Sequence, residues 1–353
     1  MEATLARLRE RIAAAVAART PLRPRGGGTK DFYAETLAGD VLDTREHHGI
    51  LAYEPSELVI TARCGTPLAE IEDALARQGQ FLPFEPPAFG GEATIGGVIA
   101  AGLSGPRRAS VGAARDFVLG AHLLDAHGDV LRFGGQVMKN VAGFDVARLL
   151  CGSLGVLGLI TQVSLKVLPR PREEISLRFE CGAVQALTMF QRWRAQPLPV
   201  SATCWHDGAA VARLSGSSSA LRTACAALGG TPMNEADARA WWSSLREQTL
   251  DFFRNDETPL WRLSLPATAS LDRSGGELIE WSGALRWLRS DAPAREIRAL
   301  ADALGGTAML WRGARSASMF HPLAEVQREL HRRLKRQFDP HGVFSPGRMN
   351  EGW

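Results

Sequence analysis

In Arg25-Gly26-Gly27-Gly28-Thr29-Lys30, three consecutive glycines stand between two cations. Without Cβ atoms, one turn of chain can aim successive backbone N–H groups at the oxygens of an anion, and Lys30 adds a positive charge beside them. A second glycine-rich block follows at Ala93-Thr94-Ile95-Gly96-Gly97. Together the two blocks suggest a bound dinucleotide. A P-loop would need Gly-x4-Gly-Lys-Ser/Thr, and a Rossmann turn would need Gly-x-Gly-x-x-Gly opening a helix. Neither spacing is present. Lys30-Asp31-Phe32-Tyr33-Ala34, after the first block, shows no apolar period of about 3.6 residues, so this loop opens no dinucleotide-fold helix.

Other chemistries find less support. Cys64, Cys151, Cys181, Cys204 and Cys225 are widely spaced with no Cys-x-x-Cys, which argues against an iron–sulfur cluster or a structural zinc and for a reducing compartment. The histidines offer only His47-His48 and the loose His122 and His127, read as turn or surface residues, so no metal is expected. With 353 residues, 45 % hydrophobic, 22 % charged and a net charge of +3, the chain reads as a soluble globular protein long enough for two domains. Its basic residues are scattered, which excludes nucleic acid as the main partner. No apolar run approaches the roughly 20 residues of a membrane helix. The expectation is a cytoplasmic protein that reaches a membrane only by docking to something there.

The elements that must hold the glycine blocks are partly visible. Leu5, Leu8, Ile12 and Val16 repeat at helical spacing, an amphipathic helix lying on the domain. A short strand, Pro21 to Arg25, leads into the first block. Leu68, Ile71 and Leu75 place a helix over Pro67 to Arg77, with Thr66 as its N-cap and Gly79 ending it. Strands are expected at 58–62, 117–124, 130–133 and 158–167. Stiff, polar Pro169 to Glu174 marks the best domain boundary.

Beyond that boundary the chain repeats itself. Ala227-Leu228-Gly229-Gly230-Thr231-Pro232-Met233 matches Ala303-Leu304-Gly305-Gly306-Thr307-Ala308-Met309. Upstream lie a helix-like segment and a hairpin signal, Trp205-His206-Asp207-Gly208 in one copy and Trp281-Ser282-Gly283 in the other. Each copy reads strand, tight turn, strand, helix, Gly-Gly stop, strand, opened by strands at 175–179 and 260–265. Two ferredoxin-like halves would form one antiparallel sheet backed by helices. Eight of the nine tryptophans fall in this region, most as core, with an interaction face also open to them.

Taken in order, the two glycine blocks, Ser104-Gly105-Pro106-Arg107-Arg108, Val111-Gly112 with Arg115-Asp116, and Gly152-Ser153-Leu154-Gly155-Val156-Leu157-Gly158-Leu159-Ile160-Thr161 resemble the vanillyl-alcohol-oxidase, or PCMH-type, FAD-binding domain. The closing Asp339-Pro340-His341-Gly342-Val343-Phe344-Ser345-Pro346-Gly347-Arg348-Met349 resembles that of the family's lactate and glycolate dehydrogenases. Gly105 to Arg108, Met138 to Asp145 and the short Trp-rich cap are most similar to FAD-binding subunits of bacterial glycolate oxidases. The resemblance implies an α+β, PCMH-type two-subdomain FAD-binding fold with a smaller cap of ferredoxin-like repeats. The corresponding units are 1–169 for FAD, 170–330 for the cap, and 331–353 returning to the FAD domain.

The resemblance also implies cofactor contacts from Arg25, Gly26, Gly27, Gly28, Thr29, Lys30, Thr94, Ile95, Gly96, Gly97, Ser104, Gly105, Gly112, Asp116, Gly155, Gly158 and Ile160. A side chain at Gly27 or Gly96 is expected to fill the space of a phosphate or flavin edge. Only 4 of the 41 basic residues are lysine, which draws notice to Lys30 and Lys139. Lys139, Arg107 and Arg108 are the near-flavin candidates. The family's covalent variants attach flavin through histidine or cysteine in these loops, which here contain neither, so FAD is expected to be non-covalent.

Oxidising a 2-hydroxy acid requires a cation for its carboxylate and a base for its hydroxyl proton. The sequence shows no clear set, and His206 and His321 stand isolated. The family implies a paralogous larger FAD subunit that oxidises glycolate and an iron–sulfur subunit that carries electrons onward. A self-sufficient dehydrogenase and a structural subunit with a vestigial site remain the alternatives.

Overall fold

Two strands rich in β-branched and aliphatic residues, Val59–Arg63 and Leu159–Lys166, are buried along most of their length and form the spine of the first domain. The computed structural model describes residues 2–135, 144–254, 257–270, 276–313 and 318–349. Around that spine runs a five-stranded antiparallel sheet in the order Ile50–Glu54, Val59–Arg63, Leu159–Lys166, Val118–Leu124, Val130–Gly134. Ile60, Val163 and Leu165 bury against the apolar stripes of helices Leu68–Ala76 and Ile95–Ala101. The first of these helices is capped differently from expectation. Its N-cap is Pro67, while the Thr66 hydroxyl donates to the Arg63 carbonyl at 2.7 Å and accepts from Gly49 N–H at 2.9 Å. Edge strand Ile50–Glu54 escaped sequence reading because it is only half-buried and lacks a clean alternation.

A parallel pair, Leu22–Arg25 with Asp40–Asp43, launches the first glycine block from the rim of this domain. Helix Glu2–Ala18 covers the pair through Leu8, Ile12 and Ala15, so the N-terminal stripe is core. The C-terminal chain comes back to the same place. Buried Lys335, on helix Glu325–Phe338, donates to Asp339 and to the carbonyls of Val156 and Phe344, and Phe344 bridges to Leu22.

The rest of the chain builds an eight-stranded sheet, antiparallel throughout. Glu173–Glu180, Val200–His206, Ala209–Gly216 and Thr231–Pro232 form one half; Leu260–Ser264, Glu277–Glu280, Leu285–Arg289 and Thr307–Arg312 form the other. They meet where Cys204 pairs with Glu280. This is the duplicated cap, with the hairpins where the Trp-led turns place them. The first half also carries a helix that was not foreseen, Ala183–Arg194, whose Ala186, Leu187, Phe190 and Trp193 are buried at helical spacing. Six cap tryptophans are buried, and Trp205 and Trp241 are half-buried.

Candidate functional site

The fold draws three distant blocks of sequence onto one groove of about 820 Å³. Arg25 through Lys30 form one wall, Thr94, Gly96 and Gly97 a second, and Gly155, Gly158 and Ile160 a third. Among the described residues, no acceptor is recorded for the backbone N–H of Gly26, Gly27, Gly28 or Thr29. The four residues are half-buried and line the groove, so successive backbone donors there are open to an anion. The cations at the rim are partly neutralised within the protein. Arg25 Nε donates to Asp31 at 2.8 Å, and Arg23 reaches the same carboxylate at 3.4 Å.

The glycines are required for a reason other than the expected one. A Cβ on Gly27 would stand 1.7 Å from the Glu92 carbonyl oxygen, and one on Gly96 would stand 2.6 Å from the Cys64 Cβ. These directions point into protein, not toward a ligand. The first block is pressed against the second, and the second against the end of strand Val59–Arg63. The second block also opens a helix, with Thr94 Oγ1 accepting from Gly97 N–H at 3.3 Å.

Several expected contacts lie elsewhere. Ile95 is fully buried in the core, and Asp116 accepts from Ala113 N–H at the turn that contains Gly112. Ser104 and Gly105 line a separate cavity against the cap. Lys30 lines the groove, but its Nζ donates to the Ala88 carbonyl at 3.2 Å; burial lowers its pKa to about 8, and Glu247 of the cap opposes the fall. Lys139 falls outside the described residues.

Arg107 and Arg108 do not line the glycine groove. Arg107 is buried and ties the two domains together, joining Glu85 to Glu174 and Ser215 of the cap. Glu85 also receives Arg213 at 2.9 Å; burial alone would raise its pKa, but the two guanidiniums hold it below the usual carboxylate range. Arg108 stacks on Trp281 with its guanidinium carbon 4.4 Å from the ring centre. Sequence reading could identify these cations but not partners so far away in the chain.

Two further residues that stood outside the expected contact set line the groove. The Cys64 thiol lines the groove, with burial pushing its pKa up to about 12. Arg348, in the closing motif, reaches the groove and fixes its neighbouring loop by donating to the carbonyls of Asp31, Tyr33 and Glu35.

Residues 3–134 match a family described as an FAD binding domain. Along nearly its whole length the chain is similar to glycolate oxidase subunit GlcE of Escherichia coli K12, at 48 % identity over 343 residues, covering 97 % of this chain and 96 % of that one. The chain belongs to the GlcE family. A second similarity, to glycolate oxidase subunit GlcD of Bacillus subtilis, is 35 % over 161 residues, 45 % of this chain and 34 % of GlcD. In fold, this GlcE-family chain is similar to a solved alkyldihydroxyacetonephosphate synthase, with a TM-score of 0.66 and 14 % identity over 96 % of this chain and 75 % of that one. It is an FAD-binding oxidoreductase-family protein. Among the described residues no helix is long and apolar enough to cross a membrane, and no cluster of three or more His, Cys, Asp or Glu could hold a metal.

Proposed function

We propose that this chain is the FAD-binding subunit of a complex that oxidises glycolate to glyoxylate, passing electrons or supporting assembly while a paralogous larger FAD subunit oxidises the substrate. The observation that carries the reading is the row of unpartnered N–H groups from Gly26 to Thr29, facing a groove shared with Thr94, Gly96, Gly97, Gly155, Gly158 and Ile160. Those donors would take the FAD pyrophosphate, and the glycine-lined walls would take the rest of the cofactor along the groove. FAD, when bound, supplies an acceptor for two electrons that can release them one at a time. The protein's part is to hold it, orient it and keep its surroundings dry.

The cofactor is non-covalent in this reading. The one thiol of the groove, Cys64, stays protonated at neutral pH and is therefore a poor nucleophile. An iron–sulfur subunit carries the electrons onward, and the complex, not this chain, makes any peripheral contact with the inner membrane. In this reading residues 1–169 form the FAD domain and 170–324 the cap, the returning segment beginning with helix Glu325–Phe338 rather than at the expected 331.

Anaerobic visible spectra test the reading. The isolated chain is expected to carry oxidised flavin that glycolate leaves unchanged, and to bleach once the partner subunits are added. Bleaching by glycolate alone would overturn the division of labour, and a colourless chain would overturn the cofactor assignment. Acid precipitation should leave the flavin in the supernatant, and Gly27→Ala, whose Cβ collides with the Glu92 carbonyl, should purify without it.

A further inference from the structure

Between the two domains lies a second, small cavity, walled by Trp281, Trp287 and Trp311 of the cap and floored by Leu103 to Pro106 of the glycine-loop domain. Into it projects Arg262, its guanidinium carbon 5.2 Å from the Trp281 ring, 5.8 Å from Trp287 and 6.0 Å from Trp311. A guanidinium offers five N–H donors. Among the described residues, none of those on Arg262 has a hydrogen-bond or ion-pair partner. The neighbouring buried arginines are treated otherwise: Arg286 is engaged by Glu277, Gly283 and Ala269, and Arg213 by Glu85 and Ser201.

We propose that this cavity binds a small carboxylate, of the class of two- and three-carbon hydroxy or oxo acids, through the Arg262 guanidinium. The planar fork of arginine matches a carboxylate bidentately. The tryptophan rings around the guanidinium thin the water about it and support the cation through their faces, which strengthens the pairing. The cavity has room for only a few water-sized groups, which limits its occupant to an acid of few heavy atoms.

The aromatic wall is held in a costly geometry. Trp281 and Ser282 are consecutive non-glycine residues with φ of +52° and +55°. Conformations of that kind persist where surrounding structure enforces them and concentrate at functional sites. Here the backbone sets the Trp281 ring between Arg108 and Arg262, with its Nε1 donating to the Gly105 carbonyl at 3.0 Å.

Glu280 lines the same cavity and accepts from Trp287 Nε1 at 2.7 Å. Arg262 and Trp287 face it from neighbouring strands, Cys204 across the junction of the two halves, and Glu85 from the glycine-loop domain. Burial raises its pKa to about 7, so near neutrality it offsets Arg262 only in part, and with Arg108 beside Trp281 the balance favours an anion.

The choice of acid rests on the glycolate reading above; the cation-bearing cavity does not. Calorimetric titration of the FAD-loaded chain with glycolate and with glyoxylate, against acetamide as an uncharged control, reads binding directly. Wild type should bind both acids and not acetamide, and Arg262→Gln should weaken them at least about tenfold with visible flavin absorbance intact. Arg262→Lys should keep part of the affinity. If Arg262→Gln does not fold, Glu280→Gln at about pH 8 should tighten carboxylate binding several-fold, because it removes a like charge. Acids binding no better than acetamide, unchanged binding in a folded Arg262→Gln, or loss of flavin with carboxylate binding retained would each overturn the proposal. A colourless chain would defeat the functional reading instead, and titration of that apo chain would still test Arg262.

Discussion

The two halves of the cap share one architecture and differ in what they present to the glycine-loop domain. On that face the first half pairs Arg178 with Val211 across its strands, and the second pairs Arg262 with Trp287. Arg178 donates to Glu180 at 2.7 Å near the surface, whereas Arg262 stands among tryptophans with no hydrogen-bond or ion-pair partner among the described residues. At the next pair the first half sets Phe179 against Ala210 and the second sets Leu263 against Arg286, whose donors are engaged. Duplication supplied two scaffolds, and chemistry accumulated on one. Arg286 is fully buried with its donors engaged, whereas Arg262 is half-buried and its donors have no acceptor among the described residues.

Converting the second half toward the first breaks this comparison in graded steps. The largest effect is expected from Arg286→Ala, which copies Ala210 and leaves Glu277 buried with its cation removed. Breaking a buried pair on one side should cost about 3–5 kcal/mol of stability. Denaturant unfolding reads it, and a loss under about 1 kcal/mol would mean the pair is incidental. Trp287→Val, copying Val211, should cost about 2–4 kcal/mol through lost packing against Phe253 and Trp311. It also removes one wall of the Arg262 cavity, so carboxylate affinity should fall along with stability.

How far the sequence carried this picture depended on residue type. Three adjacent glycines announce an unusual turn by themselves, and the Gly-Gly helix stops at 229–230 and 305–306 exposed the duplication. Residues 155–160 came only through the family resemblance, because Ser153 to Thr161 as plain sequence reads equally well as a buried strand. Arg262 was not legible at all. In Leu260-Trp261-Arg262-Leu263-Ser264 both faces of the strand are covered, so alternation hides the cation, and its isolation is set by residues brought near only by folding. Arg107 failed in the opposite sense: it was visible as a cation, but Glu85, Glu174 and Ser215 define its role.

A smaller effect tests the charge balance of the second half. The carboxyl of Glu280 has an ordinary value of 4.5 and is raised by burial to about 7. Its contribution is therefore fully present below about pH 4.5 and is lost as pH rises through 7, where the folded state must also ionise it. Glu280→Gln lacks that loss. Across the window the variant should gain on wild type by on the order of 2–3 kcal/mol. Paired unfolding curves at several pH values give the difference, in which all other titrations cancel. A pH-independent difference would place Glu280 outside the desolvated setting described.

The smallest effect is expected from Arg178→Gln, and it sharpens the contrast between the halves most directly. The Arg178–Glu180 pair is solvent-exposed, so removing it should change stability by no more than about 0.5 kcal/mol and leave carboxylate binding as it was. Arg178 and Arg262 carry the same charge on corresponding first strands of one sheet. If the anion responded merely to the positive field of the cap, removing either arginine would weaken binding, and added salt would erase the effect of both. If it is held by unpartnered donors within the tryptophan walls, only Arg262 matters, and its effect should persist in salt because the cavity shields it. Equal losses from the two variants would dissolve the distinction between the halves on which the site rests.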